Sequence, residues 1–188
     1  MAKRRGTIGA ESALRLPAPE HRASCDSGPV TPTRLVSIDD ASALADLVSA
    51  NRGFLAPFEP VRGEEYFTLE GQSALIQTQL QQHELGLNLP HVILDSGRVV
   101  GRITLSGIVR GPLQSAHLGY WVNATDGGRG LATAAVRNLV QIAFEEWGLH
   151  RIEAGTLLDN VRSQRVLERN GFVRFGVARG YLLIAGRW

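Results

Sequence analysis

With 188 residues, 44% of them hydrophobic and 20% charged, the chain has the size and balance of one globular domain with a sizeable core. No apolar run approaches the ~20 residues that span a bilayer, Lys3, Arg4 and Arg5 lack the apolar block of a secretory signal behind them, and the single Cys25 excludes an internal disulfide framework or a Cys-rich metal site. The formal charge of +2 resides in residues 1–29, where Lys3, Arg4, Arg5, Arg15 and Arg22 outnumber Glu11, Glu20 and Asp26; the other fifteen basic and fifteen acidic residues cancel, which excludes a folded basic platform for nucleic acid.

Residues 1–30 are rich in Arg, Ser, Pro, Ala and Gly and lack sustained periodicity. They are expected to be a disordered basic extension, or the product of a start codon set too early, leaving 31–188 as the domain. Thr33–Arg34–Leu35–Val36–Ser37–Ile38 alternates as a strand does. Asp39 and Asp40 then cap a helix with Leu44, Leu47 and Val48 on one face. Asn51 to Arg62, with Pro57 and Pro60, reads as a loop, and a second helix is predicted over roughly Tyr66 to Leu85. Two strands, His91–Leu94 and Val99–Leu105, meet at the hairpin signal Asp95–Ser96–Gly97–Arg98. Gly111–Pro112 turns the chain before a strand over Ala116–Val122. The longest amphipathic segment starts at Gly130, repeats Leu131, Ala135, Val136, Leu139, Val140, Ala143 and Trp147 at helical spacing, and ends at Gly148. Arg151–Leu157 reads as a strand, Asn160–Asn170 as a helix and Phe172–Ile184 as mostly extended. This order predicts an α/β (α+β) domain with a mixed sheet.

Two constellations carry chemistry. The strand Leu118–Gly119–Tyr120–Trp121–Val122 leads into Gly127–Gly128–Arg129–Gly130–Leu131–Ala132 and a long helix. Glycines let main-chain N–H groups approach an anion, and the first turn of a helix has unpaired donors and a positive dipole end, so a phosphate is favoured there. Arg129 offers a charge-assisted contact, or points to solvent. The turn is neither a P-loop nor a G-x-G-x-x-G site, and three glycines also suit a loop that only needs tight turns. The second constellation runs Asn160–Val161–Arg162–Ser163 and continues to Asn170–Gly171–Phe172. Asn160 suits an N-cap and Gly171 a C′ residue with Phe172 packed back on the helix; alternatively Asn160 and Ser163 face a cofactor cleft.

In this order and spacing the two resemble the GNAT acetyltransferase superfamily, whose acetyl-CoA signature Gln/Arg-x-x-Gly-x-Gly/Ala is matched by Gly127-x-x-Gly130-x-Ala132. Gly127 departs from the Gln or Arg of that pattern, which is expected to weaken rather than abolish binding. Asn160-x-x-Ser163 with Asn170–Gly171–Phe172 resembles the second signature of the RimJ/RimL branch. Asn51–Arg52–Gly53–Phe54–Leu55–Ala56–Pro57–Phe58–Glu59–Pro60–Val61–Arg62 is similar to the loop of the RimJ type, the ribosomal-protein-alanine N-acetyltransferases, with Phe58 in place of Trp. Val109–Arg110–Gly111 and residues 181–188 extend the likeness over roughly 33–188.

The resemblance implies a mixed, mostly antiparallel central sheet flanked by helices, and acetyl-CoA as co-substrate without a metal. It implies that Tyr120, Trp121 and Val122 pair with pantetheine by their backbone, and that Gly127, Gly128, Arg129, Gly130, Leu131, Ala132 and Thr133 surround the pyrophosphate. Asn160 would bond the cofactor arm, and Ser163 would protonate the thiolate or sit as a helix-surface hydroxyl. Asn51, Arg52, Phe58 and Glu59 would border the acceptor. Glu59 is the named base, with His117, Glu153 or a water chain as alternatives. The expected acceptor is a protein N-terminus, a ribosomal protein foremost, with no sequence-specific nucleic acid, no membrane, a cytoplasmic setting and a monomeric or homodimeric enzyme. A small amine, such as an antibiotic or polyamine, is the alternative acceptor, and a weakly catalytic acetyl-CoA-binding or ribosome-associated module the alternative class. Trp188 falls where this branch turns into a final strand inserted between its neighbours, so truncation, or a strand supplied from elsewhere, is expected.

Overall fold

The computed structural model describes Ala13–Leu16 by their backbone and residues 32–188 in full. The order of elements is β1 (Ala13–Leu16), β2 (Thr33–Leu35), α1 (Ala41–Ala50), α2 (Arg52–Leu55), α3 (Leu69–Glu84), β3 (Leu89–Asp95), β4 (Arg98–Val109), β5 (Ser115–Val122), α4 (Leu131–Glu145), β6 (Arg151–Gly155), α5 (Val161–Arg169) and β7 (Val173–Arg174). The strands form one sheet in the order β2-β3-β4-β5-β6-β1-β7. All pairs are antiparallel except β5 with β6.

The expected α/β domain with a mixed, mostly antiparallel sheet is what forms, and most elements fall where periodicity placed them. Four expectations need correcting. The stretch expected to be disordered contains β1, which lies between β6 and β7, where Ala13 pairs with Gly155 and Leu14 with Arg174. The strand expected to be absent or supplied from elsewhere thus has its place in the sheet filled by the chain's own residues; Cys25 and the remainder of 1–31 lie outside the described residues. The loop at 51–62 contains the short helix α2, and residues 172–184 are mostly irregular, with strand only at Val173–Arg174.

Strand alternation divides the interior into two cores on opposite faces of the sheet. On β3, Val92 belongs to the core with Leu44 of α1 and Ile76 of α3, whereas Ile93 belongs to the core with Leu139 of α4 and Leu167 of α5. The stripe Ala135, Val136, Leu139, Val140 and Ala143 turns one side of α4 into the sheet. Each fully buried Leu or Ile on these faces contributes about 1.5–3 kcal/mol.

Caps set the helix ends. Thr68 accepts from the Gly71 N–H at the start of α3, and Asn160 accepts from the Ser163 N–H at the start of α5. At the other end of α5, Gly171 adopts φ 81°, and Phe172, buried, donates its N–H to the Leu167 carbonyl. That closes the helix as the Asn–Gly–Phe run predicts.

Candidate active site

β5 and β6 are in register only over Ser115–His117 and Arg151–Glu153. Beyond that the two parallel strands part, so the β6-facing edge of Leu118–Val122 has no strand beside it. A cleft of about 1020 Å³ opens at this parting and runs between the start of α5 and the loop before α3. Its open strand edge offers backbone donors and acceptors to an extended, amide-bearing chain.

The glycine turn lies at the end of the same strand. Gly128 and Gly130 have φ 80° and 81°, a region that L side chains rarely adopt. No side chain caps α4 at Gly130, and the N–H groups of Gly128, Arg129, Gly130, Leu131, Ala132 and Thr133 meet no acceptor among the described residues. These donors and the helix dipole fit the pyrophosphate of a coenzyme A group. Gly127 stands apart: its N–H goes to the Ala124 carbonyl, and a Cβ there would come 3.2 Å from that oxygen. The Arg129 guanidinium binds Asp95 at 2.7 Å and Asp126 at 3.4 Å, so what it presents toward the turn's mouth is its backbone N–H.

Tyr120 and Ser163 meet across the cleft. The Tyr120 hydroxyl donates to the Ser163 carbonyl at 3.2 Å and lies 2.8 Å from Ser163 Oγ. Burial pushes the Tyr120 phenol up to about 12, so it stays protonated at neutral pH. The Asn160 side chain, by contrast, is taken up by the cap of α5, while its residue lines the cleft. Trp121 packs with Val36 and Leu44 against the α1–α3 side, and Val122 packs on the opposite core. The pairing of Tyr120 with Ser163 could not be read from spacing, because the two hydroxyls are 43 residues apart. Asn170 also donates to the Thr133 carbonyl at 3.3 Å, which ties the end of α5 to the first turn of α4.

On the acceptor side the structure keeps two of the four predicted residues at the cleft. Phe58 and Glu59 line it. Burial raises the Glu59 carboxyl above its usual range, against the pull of Arg62 and Arg102; the Glu59 carboxylate is 3.7 Å from Arg62. Asn51 and Arg52 do not line this cleft, although Arg52 lines a smaller pocket beside it with Glu59, Arg62 and Tyr66. Asn51 is buried, donates to the Leu47 carbonyl and to Asn123, and accepts from the Ala124 N–H. It clamps α1 to the loop after β5, since a buried amide must be satisfied by its surroundings. Arg52 pairs with Glu64 and lies over the Phe67 ring at 4.3 Å, outside this cleft. The remaining base candidates, His117 and Glu153, do line the cleft, but Glu153 is paired with Arg151 and is 4.0 Å from His117.

Tyr66, Gln72 and Arg102 were missed as site residues. Tyr66 and Arg102 line the cleft, and Gln72 holds Arg102 from behind. A signal existed: Arg102 interrupts the apolar run Val99-Val100-Gly101 and Ile103 at an inward strand position. Among the described residues no His, Cys, Asp and Glu cluster could hold a metal ion, and no helix is long and apolar enough to cross a membrane.

Comparison with known proteins places this geometry. Residues 33–173 match the acetyltransferase (GNAT) domain. The chain is 39% identical over 158 residues to the probable N-acetyltransferase YjcK of Bacillus subtilis, covering 82% of this chain and 87% of that protein. It is 34% identical over 157 residues to the [ribosomal protein uS5]-alanine N-acetyltransferase of Escherichia coli, covering 82% and 81%. The solved structure of Mycobacterium smegmatis RimJ in complex with CoA-disulfide superposes with a TM-score of 0.81 at 33% identity, covering 83% of this chain and 76% of that one.

Proposed function

Because the chain belongs to the GNAT acetyltransferase family, and is an N-acetyltransferase related to those that modify ribosomal proteins, we propose that it moves the acetyl group of acetyl-CoA to the N-terminal α-amine of a protein, a ribosomal protein being the acceptor. The observation that carries this reading is the one cleft that joins the open edge of β5, the Tyr120–Ser163 pair and the half-buried Glu59. The uS5-alanine acceptor named for the Escherichia coli relative supports the acceptor class. The setting is the cytoplasm, where ribosomal proteins are made.

Acetyl-CoA supplies a thioester whose carbonyl is attacked by the neutral amine; the C–N bond forms, the C–S bond breaks, and the thiolate leaves. Residues 128–133 bind the pyrophosphate by main-chain N–H groups and the edge of β5 orients the pantetheine arm. Glu59 accepts the proton of the ammonium, a task suited to a carboxyl raised by burial. Ser163 Oγ–H delivers a proton to the sulfur and is restored by the second proton, which the nitrogen sheds as the amide forms. The protonated Tyr120, which donates to the Ser163 carbonyl and lies 2.8 Å from Ser163 Oγ, holds the serine at the cleft.

The test is to incubate purified protein with acetyl-CoA and peptides that begin with Ala or Ser while following free thiol. Turnover with these peptides supports the reading. Turnover confined to small amines such as spermidine replaces the acceptor, and acetyl-CoA binding without thiol release reduces the chain to a binding module.

A further inference from the structure

Arg102 stands at an inward position of β4, opposite Val92 of β3 and Trp121 of β5, and is only 7% exposed. A guanidinium stays protonated at any pH a folded protein meets, and taking one out of water is costly unless its donors and charge are matched. Here the match is incomplete. Nη2 donates to Gln72 Oε1 at 2.6 Å, Nε is buried with no acceptor, and Nη1 meets none among the described residues. Gln72 is fully buried and committed in turn, its Nε2 donating to the Tyr66 carbonyl at 2.5 Å. That bond fixes which end of the amide faces Arg102, and so aims the guanidinium. An arginine kept only to hold the fold would have its donors met from within; this one lines the acceptor end of the cleft beside Glu59 and Tyr66.

We propose that Arg102 is a specificity-determining residue, donating its unused N–H groups to the carbonyl oxygen that follows the acceptor amine, the first peptide carbonyl of a polypeptide N-terminus. The inference rests on the acceptor reading above. A carbonyl suits the place better than a carboxylate, because a second negative charge would stand against Glu59, while a neutral oxygen completes the donors and leaves the charge balance between Glu59, Arg62 and Arg102 intact. The carbonyl is also a feature that separates a peptide from a simple amine of similar size, so this contact reads the acceptor class rather than its side chain.

The measurement is the ratio of kcat/KM for an Ala-starting peptide to kcat/KM for propylamine, in the full chain. Arg102→Met is expected to lower that ratio about 10- to 100-fold, the span of one charge-assisted hydrogen bond, through the peptide KM, while the acetyl-CoA Kd read by calorimetry moves less than about twofold. Gln72→Glu gives the guanidinium a charged partner inside the protein, and is expected to lower the ratio too. A preserved ratio in a folded Arg102→Met protein overturns the proposal; if circular dichroism shows that variant unfolded, a preserved ratio in Gln72→Glu does so. A wild-type enzyme that favours propylamine overturns the acceptor reading itself and this inference with it. A wild type that favours the peptide, with Arg102→Met keeping the preference, removes only the role of Arg102.

Discussion

Ser163 is 2.8 Å from the Tyr120 hydroxyl, and each side chain alone has an ordinary structural use, the serine in the first turn of α5 and the tyrosine on a half-buried strand. Brought together they can hold and pass a proton. Ser163→Ala is expected to lower kcat about 10²-fold or more, with the acetyl-CoA KM changed far less; an unaltered kcat would return Ser163 to a packing role. Under the proposed mechanism Glu59 sets the acid side of the pH profile. Its carboxyl is raised by burial, and only the ionised form takes the proton of the amine. Activity is therefore expected to fall, as pH drops, at a higher pH than an exposed glutamate would give, and Glu59→Gln should remove that limb. A limb that survives in the glutamine variant assigns the base elsewhere.

At the scale of elements, the phosphate turn and the anchoring of β2 each allow a direct check. Gly130 has φ 81° and nothing within 4 Å of where a Cβ would stand, so Gly130→Val strains the backbone and intrudes on the space before α4. The acetyl-CoA KM is expected to rise at least about tenfold, as read by initial rates; an unchanged KM moves the cofactor off this turn. β2 is pinned by Thr33, whose hydroxyl donates to Asn138 Oδ1 at 2.6 Å and lies 2.9 Å from His91 Nδ1. Since that one proton goes to Asn138, His91 Nδ1 carries the hydrogen of the neutral ring and donates it to Thr33 Oγ1. Burial lowers the His91 pKa to about 4 from an ordinary 6.5. Between those values the unfolded chain binds a proton that the folded one does not, so stability is complete above about 6.5 and declines as pH falls toward 4. The loss is roughly 3 kcal/mol at most, and His91→Gln should flatten the dependence of Tm on pH across this window. An equally steep slope in the variant would point to other groups.

Periodicity made most of these elements legible. α4 carries its own apolar stripe, α5 its own caps, and the β3–β4 hairpin has its Ser–Gly turn. What the chain order concealed were contacts between distant residues. Asn51 sits in a loop rich in functional resemblance, yet its amide is spent on Asn123 and Ala124, 72 and 73 residues away. Arg52 likewise turns to Glu64. Arg102 could have been suspected as a charge on an inward strand position, but only the fold reveals that Gln72 leaves it half-satisfied.

For the whole molecule, the sheet is completed by a strand from a segment whose composition gives no hint of one. Ala13–Leu16 is flanked on both sides, by β6 and by β7. Proline removes a backbone donor and is poorly tolerated inside a sheet. Leu14→Pro is thus expected to cost at least about 1 kcal/mol, which lowers Tm by about 2–4 °C in a domain of this size. An unchanged Tm would make β1 dispensable to the fold. The same strand imposes a schedule on biosynthesis. Ala13 is translated 142 positions before its partner Gly155. At about 5–20 residues per second that is a wait of roughly 7–30 s, during which α1 through α4 can assemble on a sheet that is still open beyond β5. The later strands β6 and β7 enclose the earlier β1, so the cleft at the β5–β6 parting takes its final shape only once Arg174 has been made.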